Sequence, residues 1–158
     1  MSDSSESQSS NDIHIRARGL TKHYKLGETT VKALDGVDLD IRRGQMVIIV
    51  GPSGSGKSTL LNMIGGVDRP DRGEIFVNGS SLNNLNDHQL TTFRRKYVGF
   101  VFQFYSLVPT LTAQENIEIA AELVNIKGKE LDKRAKGVMA EVGLHGRERS
   151  YPSHLSGG

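Results

Sequence analysis

A run of apolar residues followed at once by a Gly- and Ser-rich loop constrains this chain more than any other feature. The run MVIIV spans residues 46–50, and the loop GPSGSGKS follows at residues 51–58. The loop fits the pattern G-x-x-x-x-G-K-[ST], and the helix-forming residues TLLNMI come directly after it. A uniformly apolar strand belongs in a sheet that is covered on both faces. The sequence therefore predicts a buried strand, a phosphate-binding loop and a helix, in that order.

The residue types of the loop suit phosphate binding better than the role of a flexible Gly/Ser linker, which would lack these flanks. Glycines let successive N–H groups point inward, and a helix that begins near Lys57 directs its positive dipole end at the same place. We expect Lys57 to reach the β- and γ-phosphates and the Ser58 hydroxyl to ligate Mg²⁺, which prefers oxygen ligands. The residues expected to contact the phosphates are Gly51, Pro52, Ser53, Gly54, Ser55, Gly56, Lys57, Ser58 and Thr59.

Bulk properties exclude several classes of protein. The 158 residues suffice for about one domain, and a formal charge of +2 is too small to indicate nucleic-acid binding. The absence of cysteine excludes disulfides and thiol chemistry, and the five histidines show no metal-ligand spacing. No apolar run approaches the roughly 20 residues of a membrane helix, and the N-terminus lacks a signal peptide. We expect a cytoplasmic protein that reaches a membrane only through a partner.

Residues 1–12 are Ser-rich and almost devoid of apolar side chains, which predicts a disordered tail. Apolar and polar residues then alternate over residues 13–17 and 37–41, which indicates two half-buried antiparallel strands. Between these strands the sequence predicts a loop over residues 21–30 that contains Tyr24.

Local signals divide the rest of the chain into a hairpin, a strand and helices. Residues 74–77 form a strand that ends at the hairpin dipeptide Asn78-Gly79, and residues 97–102, YVGFVF, predict a second buried strand before Gln103. N-cap pairs stand at Asn86 with Gln89 and at Thr112 with Glu115, and apolar residues at helical spacing are Leu131, Ala135, Val138, Met139 and Val142. The sequence thus predicts an α/β core with an antiparallel β portion and a helical C-terminal lobe.

Three motifs in this order resemble the ATP-binding subunit of ABC transporters. They are the Walker A loop at residues 51–58, Gln103 at a strand end, and Leu155-Ser156-Gly157-Gly158, which matches the start of the LSGGQ signature. The wording GPSGSGKSTLLNMIGGVDRPDRGEI and RRKYVGFVFQFYSLVPTLTAQENI is most similar to the lipoprotein-release and macrolide-efflux group. The resemblance implies a partial ATP-binding domain over residues 13–158, with a P-loop NTPase core and β portion to about residue 103 and a helical subdomain after it.

The resemblance also implies roles for individual residues. Tyr24 would stack on adenine, and Gln103 would contact Mg²⁺ and the attacking water, while the segment after it senses the membrane partner. Ser156, Gly157 and Gly158 would close over the γ-phosphate held by the other subunit of a head-to-tail dimer. The implied ligands are ATP and Mg²⁺. The implied partners are membrane-domain subunits of a transporter and a second ATP-binding subunit, identical or not, at the cytoplasmic face of the cell membrane.

The 158 residues contain no Walker B strand, catalytic Glu or switch histidine, so we expect an N-terminal fragment that binds nucleotide and hydrolyses it poorly. Uncovered apolar sheet surface would make such a fragment marginally stable and prone to aggregate. One alternative is a non-hydrolytic nucleotide-binding or regulatory module. Another is a different P-loop protein, but a GTPase would need an N-K-x-D motif, which is absent. The interval from Ser58 to Leu155 is too short for the coiled-coil insertion of DNA-repair ATPases.

Overall fold

The computed structural model describes residues 12–103 and 106–155, which form two compact units that divide between Val98 and Gly99. Residues 1–11 of the expected disordered tail lie outside the described residues. The elements, in chain order, are β1 (Ile13–Leu26), β2 (Thr29–Arg42), α1 (Lys57–Ile64), β3 (Arg72–Val77), β4 (Ser80–Ser81), α2 (Asp87–Tyr97), α3 (Ala113–Glu122), α4 (Gly128–Glu141) and a 3₁₀ helix (Pro152–His154).

The first unit contains a four-stranded antiparallel sheet in the order β2-β1-β3-β4. Strands β1 and β2 form one long hairpin, so the loop predicted over residues 21–30 is wrong, and Tyr24 lies on β1 opposite Val31. The chain needs only residues 27 and 28 to turn, because Gly27 adopts a positive φ of 60°. The β-branched residues that follow favour continuation of the strand. The turn is therefore shorter than its polar composition indicates.

The second hairpin confirms the prediction made from the Asn78-Gly79 dipeptide. Both residues have positive φ, 50° and 74°, which is the requirement of a type I′ turn. The turn pairs Val77 with Ser80 and Phe76 with Ser81. This short hairpin extends the sheet by one strand beyond β3.

The core of the first unit lies between one face of the sheet and helices α1 and α2. Leu60 and Met63 on α1, and Leu90 and Phe93 on α2, stand three residues apart and face inward, as neighbours on one helical face do. The remaining buried members of the cluster are Ala17, Leu20, Leu34, Ile75, Val77 and Leu82. This packing fixes the position of α1 and hence of the loop that precedes it.

Both predicted N-cap pairs form complete capping boxes. The Asn86 side chain accepts a hydrogen bond from the Gln89 N–H at 2.9 Å, and the Gln89 side chain accepts one from the Asn86 N–H at 2.9 Å. Thr112 and Glu115 make the same reciprocal pair at the start of α3. These two helices begin where the sequence predicts because the signal is local.

The second unit contains α3 and α4. Leu131, Ala135 and Met139 are buried on one face of α4, while Val138 and Val142 of the same predicted helical pattern are exposed. The backbone N–H of Ala113, at the start of α3, donates to the Ser150 carbonyl oxygen at 2.8 Å. The residues before the 3₁₀ helix are thus joined to the start of α3.

The prediction of buried strands at residues 46–50 and 97–102 is wrong. Residues 46–50 and 97–102 carry no strand in the structure, because Tyr97 ends α2 and the other residues are irregular. Most of their apolar side chains are exposed, with Ile48 at 79% and Phe102 at 63%, while Ile49 and Val98 are partly buried against the core. A strand requires a neighbour for its backbone N–H and C=O groups, and no strand among residues 12–103 and 106–155 pairs with either segment. The apolar pattern is present, but its hydrogen-bonding partners are not among the described residues.

Candidate functional site

The loop of residues 51–56 lies against the backbone of β2. Gly56 precedes α1 in the left-handed region, with φ 88° and ψ 3°. A Cβ atom at this position would collide with the carbonyl oxygen of Ala33 and crowd the Leu34 side chain. Only glycine fits between the loop and the strand in this conformation. The packing of β2 therefore determines how the loop enters the helix.

The Lys57 side chain folds back across the loop. Its ammonium nitrogen donates to the carbonyl oxygens of Gly51 at 2.9 Å and Pro52 at 2.6 Å, and it lies 3.4 Å from the Ser55 hydroxyl. A compact positive charge is thus held against the first residues of the loop. An anion cradled by the loop would find this ammonium group already beside it.

The N-terminus of α1 has no side-chain cap, a feature it shares with α4, and unlike α4 it has no acidic residue in its first turn. Helices α2 and α3 have capping boxes and an acidic residue in the first turn, whereas α1 has no side-chain cap and no acidic residue there. Its first N–H groups consequently remain available as donors, and its positive dipole end is not neutralised by a carboxylate. This arrangement favours an external anion at the start of α1.

Tyr24 is brought to this helix by the long β1–β2 hairpin. Its hydroxyl donates to the Asp68 carboxylate at 3.0 Å. Burial raises the pKa of Tyr24, the hydrogen bond to Asp68 raises it further, and the Thr59 side chain, in the first turn of α1, acts to lower it. The structure therefore brings Tyr24 near Thr59, one of the residues predicted to bind phosphate, and places it on a strand rather than on the predicted loop.

Asp68 and Lys22 form an ion pair beside Tyr24 that no sequence motif predicts. The Lys22 ammonium donates to Asp68 at 3.0 Å and lies 3.7 Å from Asp71. Burial by itself would lower the pKa of Lys22, but the hydrogen bond and charge of Asp68, with the charge of Asp71, outweigh it and raise that pKa. Burial would likewise raise the pKa of Asp68, but hydrogen bonds from Lys22, the Arg69 N–H and Tyr24 lower it.

The remaining predicted site residues belong to the second unit or lie outside the described residues. Gln103 is exposed in an irregular segment, and Ser156, Gly157 and Gly158 fall outside the described residues.

Asn116 binds the backbone ahead of α3, because its side chain accepts from the Val108 N–H at 2.8 Å and donates to the Leu111 carbonyl oxygen at 3.1 Å. No sequence motif indicates this role of Asn116, since an Asn on a helix carries no specific signal.

The described residues contain neither a membrane-spanning helix nor a cluster of metal-ligating side chains. Among residues 12–103 and 106–155, no helix has the length and apolar character needed to cross a bilayer. Within the same ranges, no group of three His, Asp or Glu side chains could hold a metal ion. The Ser58 hydroxyl and the Gln103 amide are oxygen donors of the kind that Mg²⁺ accepts, as are phosphate and water.

The sequence matches the ABC transporter family over residues 34–158. The chain belongs to this family. It is 40% identical over 148 residues to the lipoprotein-releasing system ATP-binding protein LolD of Chromohalobacter salexigens, across 94% of this chain and 62% of that relative. It is 41% identical over 147 residues to the macrolide export ATP-binding/permease protein MacB of Vibrio parahaemolyticus, across 93% of this chain and 22% of that relative.

A solved structure supports the same assignment. The dimeric ATP-binding cassette MJ0796, in a post-hydrolysis state bound to ADP and Pi, matches with a TM-score of 0.82 and 41% identity, over 90% of this chain and 63% of that chain. The predicted α/β fold and the predicted ABC family are thereby confirmed. The chain spans less than two thirds of the length of each of these relatives.

Proposed function

We propose that this chain binds ATP together with Mg²⁺, as the nucleotide-binding part of an ABC transporter of the lipoprotein-release or macrolide-export kind. The observation that carries the proposal is the start of α1, where the helix has no side-chain cap and the loop carbonyl oxygens of Gly51 and Pro52 hold the Lys57 ammonium. A dipole end, free donors and a fixed positive charge together form a site for a polyphosphate. The relatives LolD and MacB, both named as ATP-binding proteins, support ATP as the ligand.

Each site residue has a role in this proposal. Residues 51–59 hold the phosphates through backbone N–H groups, and Lys57 contacts the β- and γ-phosphates. The Ser58 hydroxyl and the Gln103 side chain would hold Mg²⁺, which when bound neutralises charge on the phosphate oxygens. Tyr24 stacks on adenine. Ser156, Gly157 and Gly158 act on nucleotide held by the second subunit of a dimer.

The transport setting belongs to the same proposal. The chain would work at the cytoplasmic face of the cell membrane, with membrane-domain subunits and a second ATP-binding subunit. The 158 residues by themselves contain no acidic residue pair after an apolar run of the Walker B type. Because phosphoryl transfer depends on orienting water and neutralising charge, we expect these residues alone to bind ATP with little hydrolysis.

Equilibrium binding of a fluorescent ATP analogue with Mg²⁺ tests the proposal. Lys57→Ala removes a charge-assisted contact worth about 1.5–3 kcal/mol, so affinity should fall by roughly 10- to 150-fold. The matched control is Lys129→Ala, which removes an exposed lysine on α4, in the other unit, and should leave affinity unchanged. A phosphate-release assay on the same samples should show little turnover.

Two results would contradict these statements. Equal affinities for the unmodified chain and Lys57→Ala would show that the loop of residues 51–58 does not hold the phosphates. A steady phosphate release that Lys57→Ala abolishes would keep the binding site but overturn the expectation of poor hydrolysis.

A further inference from the structure

The Tyr24 side chain is held at the end of α1. Its hydroxyl donates to the carboxylate of Asp68, which follows the helix, at 3.0 Å. The backbone N–H of Asp68 in turn donates to the Asn62 carbonyl oxygen, within α1, at 3.3 Å. The position of the ring is therefore tied to the same helix whose first turn forms the phosphate site.

The Asp68 carboxylate divides its two oxygens between separate tasks. One oxygen accepts from the Tyr24 hydroxyl at 3.0 Å, and the other accepts from the Lys22 ammonium at 3.0 Å and from the Arg69 N–H at 2.7 Å. Lys22 is largely buried, with its side chain 13% exposed, so its partner cannot be exchanged freely for water. The carboxylate is consequently held in one orientation, and it holds the tyrosine hydroxyl in turn.

Lys22 also defines which face of the ring remains for a ligand. Its ammonium nitrogen lies over the Tyr24 ring, 5.5 Å from the centroid. A cation on one face of an aromatic ring leaves the opposite face for a stacking partner. Tyr24 is 36% exposed, so part of the ring remains accessible to a flat group.

We propose that Asp68 is a positioning residue that fixes the Tyr24 ring in advance as a platform for the adenine base. The inference rests on the proposed function, in which Tyr24 stacks on adenine. A ring that is already immobile loses little conformational freedom when the base binds, whereas a free side chain must be ordered at that moment. Asp68 thus contributes to the base-dependent part of ATP affinity and not to the phosphate-dependent part.

The test compares Mg²⁺-ATP with Mg²⁺-tripolyphosphate, which carries the phosphates without the base. Asp68→Ala and Tyr24→Phe should each weaken ATP binding by about two- to tenfold, since one side chain is released. Both variants should leave tripolyphosphate affinity unchanged. In the Tyr24→Phe background, Asp68→Ala should cause no further loss, because the hydroxyl through which Asp68 acts is already gone.

Asp71→Asn is the matched control. Asp71 accepts from the His23 N–H at 2.7 Å and lies near Lys22, but no hydrogen bond joins it to Tyr24 among the contacts of the described residues. It should change stability without changing the ratio of the two affinities. Asp68→Asn is a second variant if Asp68→Ala fails to fold. The single amide oxygen can accept a hydrogen bond from Tyr24 or from Lys22, but not from both.

Three outcomes would overturn the inference, and each is distinct. Equal losses for ATP and tripolyphosphate in Asp68→Ala would make Asp68 a structural support of the loop. If Asp68→Ala weakened ATP binding in the Tyr24→Phe background as much as it does alone, Asp68 would act without the Tyr24 hydroxyl. An unchanged affinity ratio in Tyr24→Ala would mean that Tyr24 does not contact the base at all, and Lys57→Ala would then show separately whether the phosphate site stands.

Discussion

Replacement of Gly56 by alanine tests whether the contact between β2 and the phosphate loop is as tight as the structure shows. Gly54 supplies a matched control in the same loop. Both glycines have positive φ, 88° at Gly56 and 79° at Gly54, but only Gly56 has backbone within reach of an added Cβ atom. The difference between Gly56→Ala and Gly54→Ala therefore isolates the collision with Ala33 from the cost of the left-handed conformation.

The magnitude follows from two separate costs. An L-residue in the left-handed region costs about 1–2 kcal/mol of unfolding free energy, and both variants share that cost. An added methyl that must displace packed backbone costs about 1–3 kcal/mol more, and Gly56→Ala alone incurs it. We expect Gly56→Ala to be less stable than Gly54→Ala by that second amount, a large fraction of the 5–15 kcal/mol of an ordinary domain.

Urea unfolding followed by far-UV circular dichroism measures the difference. The midpoint for Gly56→Ala should fall below that for Gly54→Ala at an unchanged m value. A Gly56→Ala chain that does not fold, beside a Gly54→Ala chain that does, would agree with the expectation. Coincident midpoints would refute the reasoning, because they would mean that β2 does not press on the loop at residue 56.

Three other expectations concern the rest of the described chain. The lowered pKa of Asp68 gives stability that is present above the unfolded pKa of about 4 and is lost as the pH falls below it. The raised pKa of Lys22 gives stability that is lost as the pH rises above about 10. Unfolding curves measured against pH should show both losses, and Lys22→Met should reduce both. Met139→Ala should lower the unfolding free energy by about 2–5 kcal/mol, because Met139 is fully buried, whereas Val138→Ala on the exposed face should change it by less than about 1 kcal/mol, and similar losses would contradict the described face of α4. Ile48→Lys should reduce self-association of the chain in analytical ultracentrifugation without altering the circular dichroism spectrum, since Ile48 is 79% exposed. An unchanged sedimentation profile would argue that residues 46–50 do not cause self-association.

The sequence predicted the features whose causes are local. The capping boxes at Asn86 and Thr112 each need only residues three positions apart, and the Asn78-Gly79 turn needs only two residues that accept positive φ. The start of α1 at Lys57 follows from the loop pattern that precedes it. These elements can be read from a short window because the interactions that form them lie within that window.

The features that the sequence did not predict depend on distant residues. Residues 46–50 have the apolar composition of a buried strand, but composition does not supply a neighbouring strand. The link between Tyr24 and Asp68 joins residues 44 positions apart, and no periodicity relates them. Lys22 and Tyr24 are two residues apart, so a strand over these residues would have placed both side chains on one face. The prediction of a loop over residues 21–30 ruled out that inference.

Because the N-terminus of α1 has no side-chain cap, the stability of the chain depends on the concentration of an anionic ligand. A side-chain cap at a helix start contributes about 1 kcal/mol, and α1 forgoes it while α2 and α3 do not. An anion bound there supplies the missing acceptors, and a ligand that binds only the native state stabilises it by about 2.7 kcal/mol at one hundred times its Kd. Under the proposed function, the resistance of this chain to proteolysis would rise and fall with the nucleotide pool, so that starvation for the ligand would shorten its lifetime before any step of transport is considered.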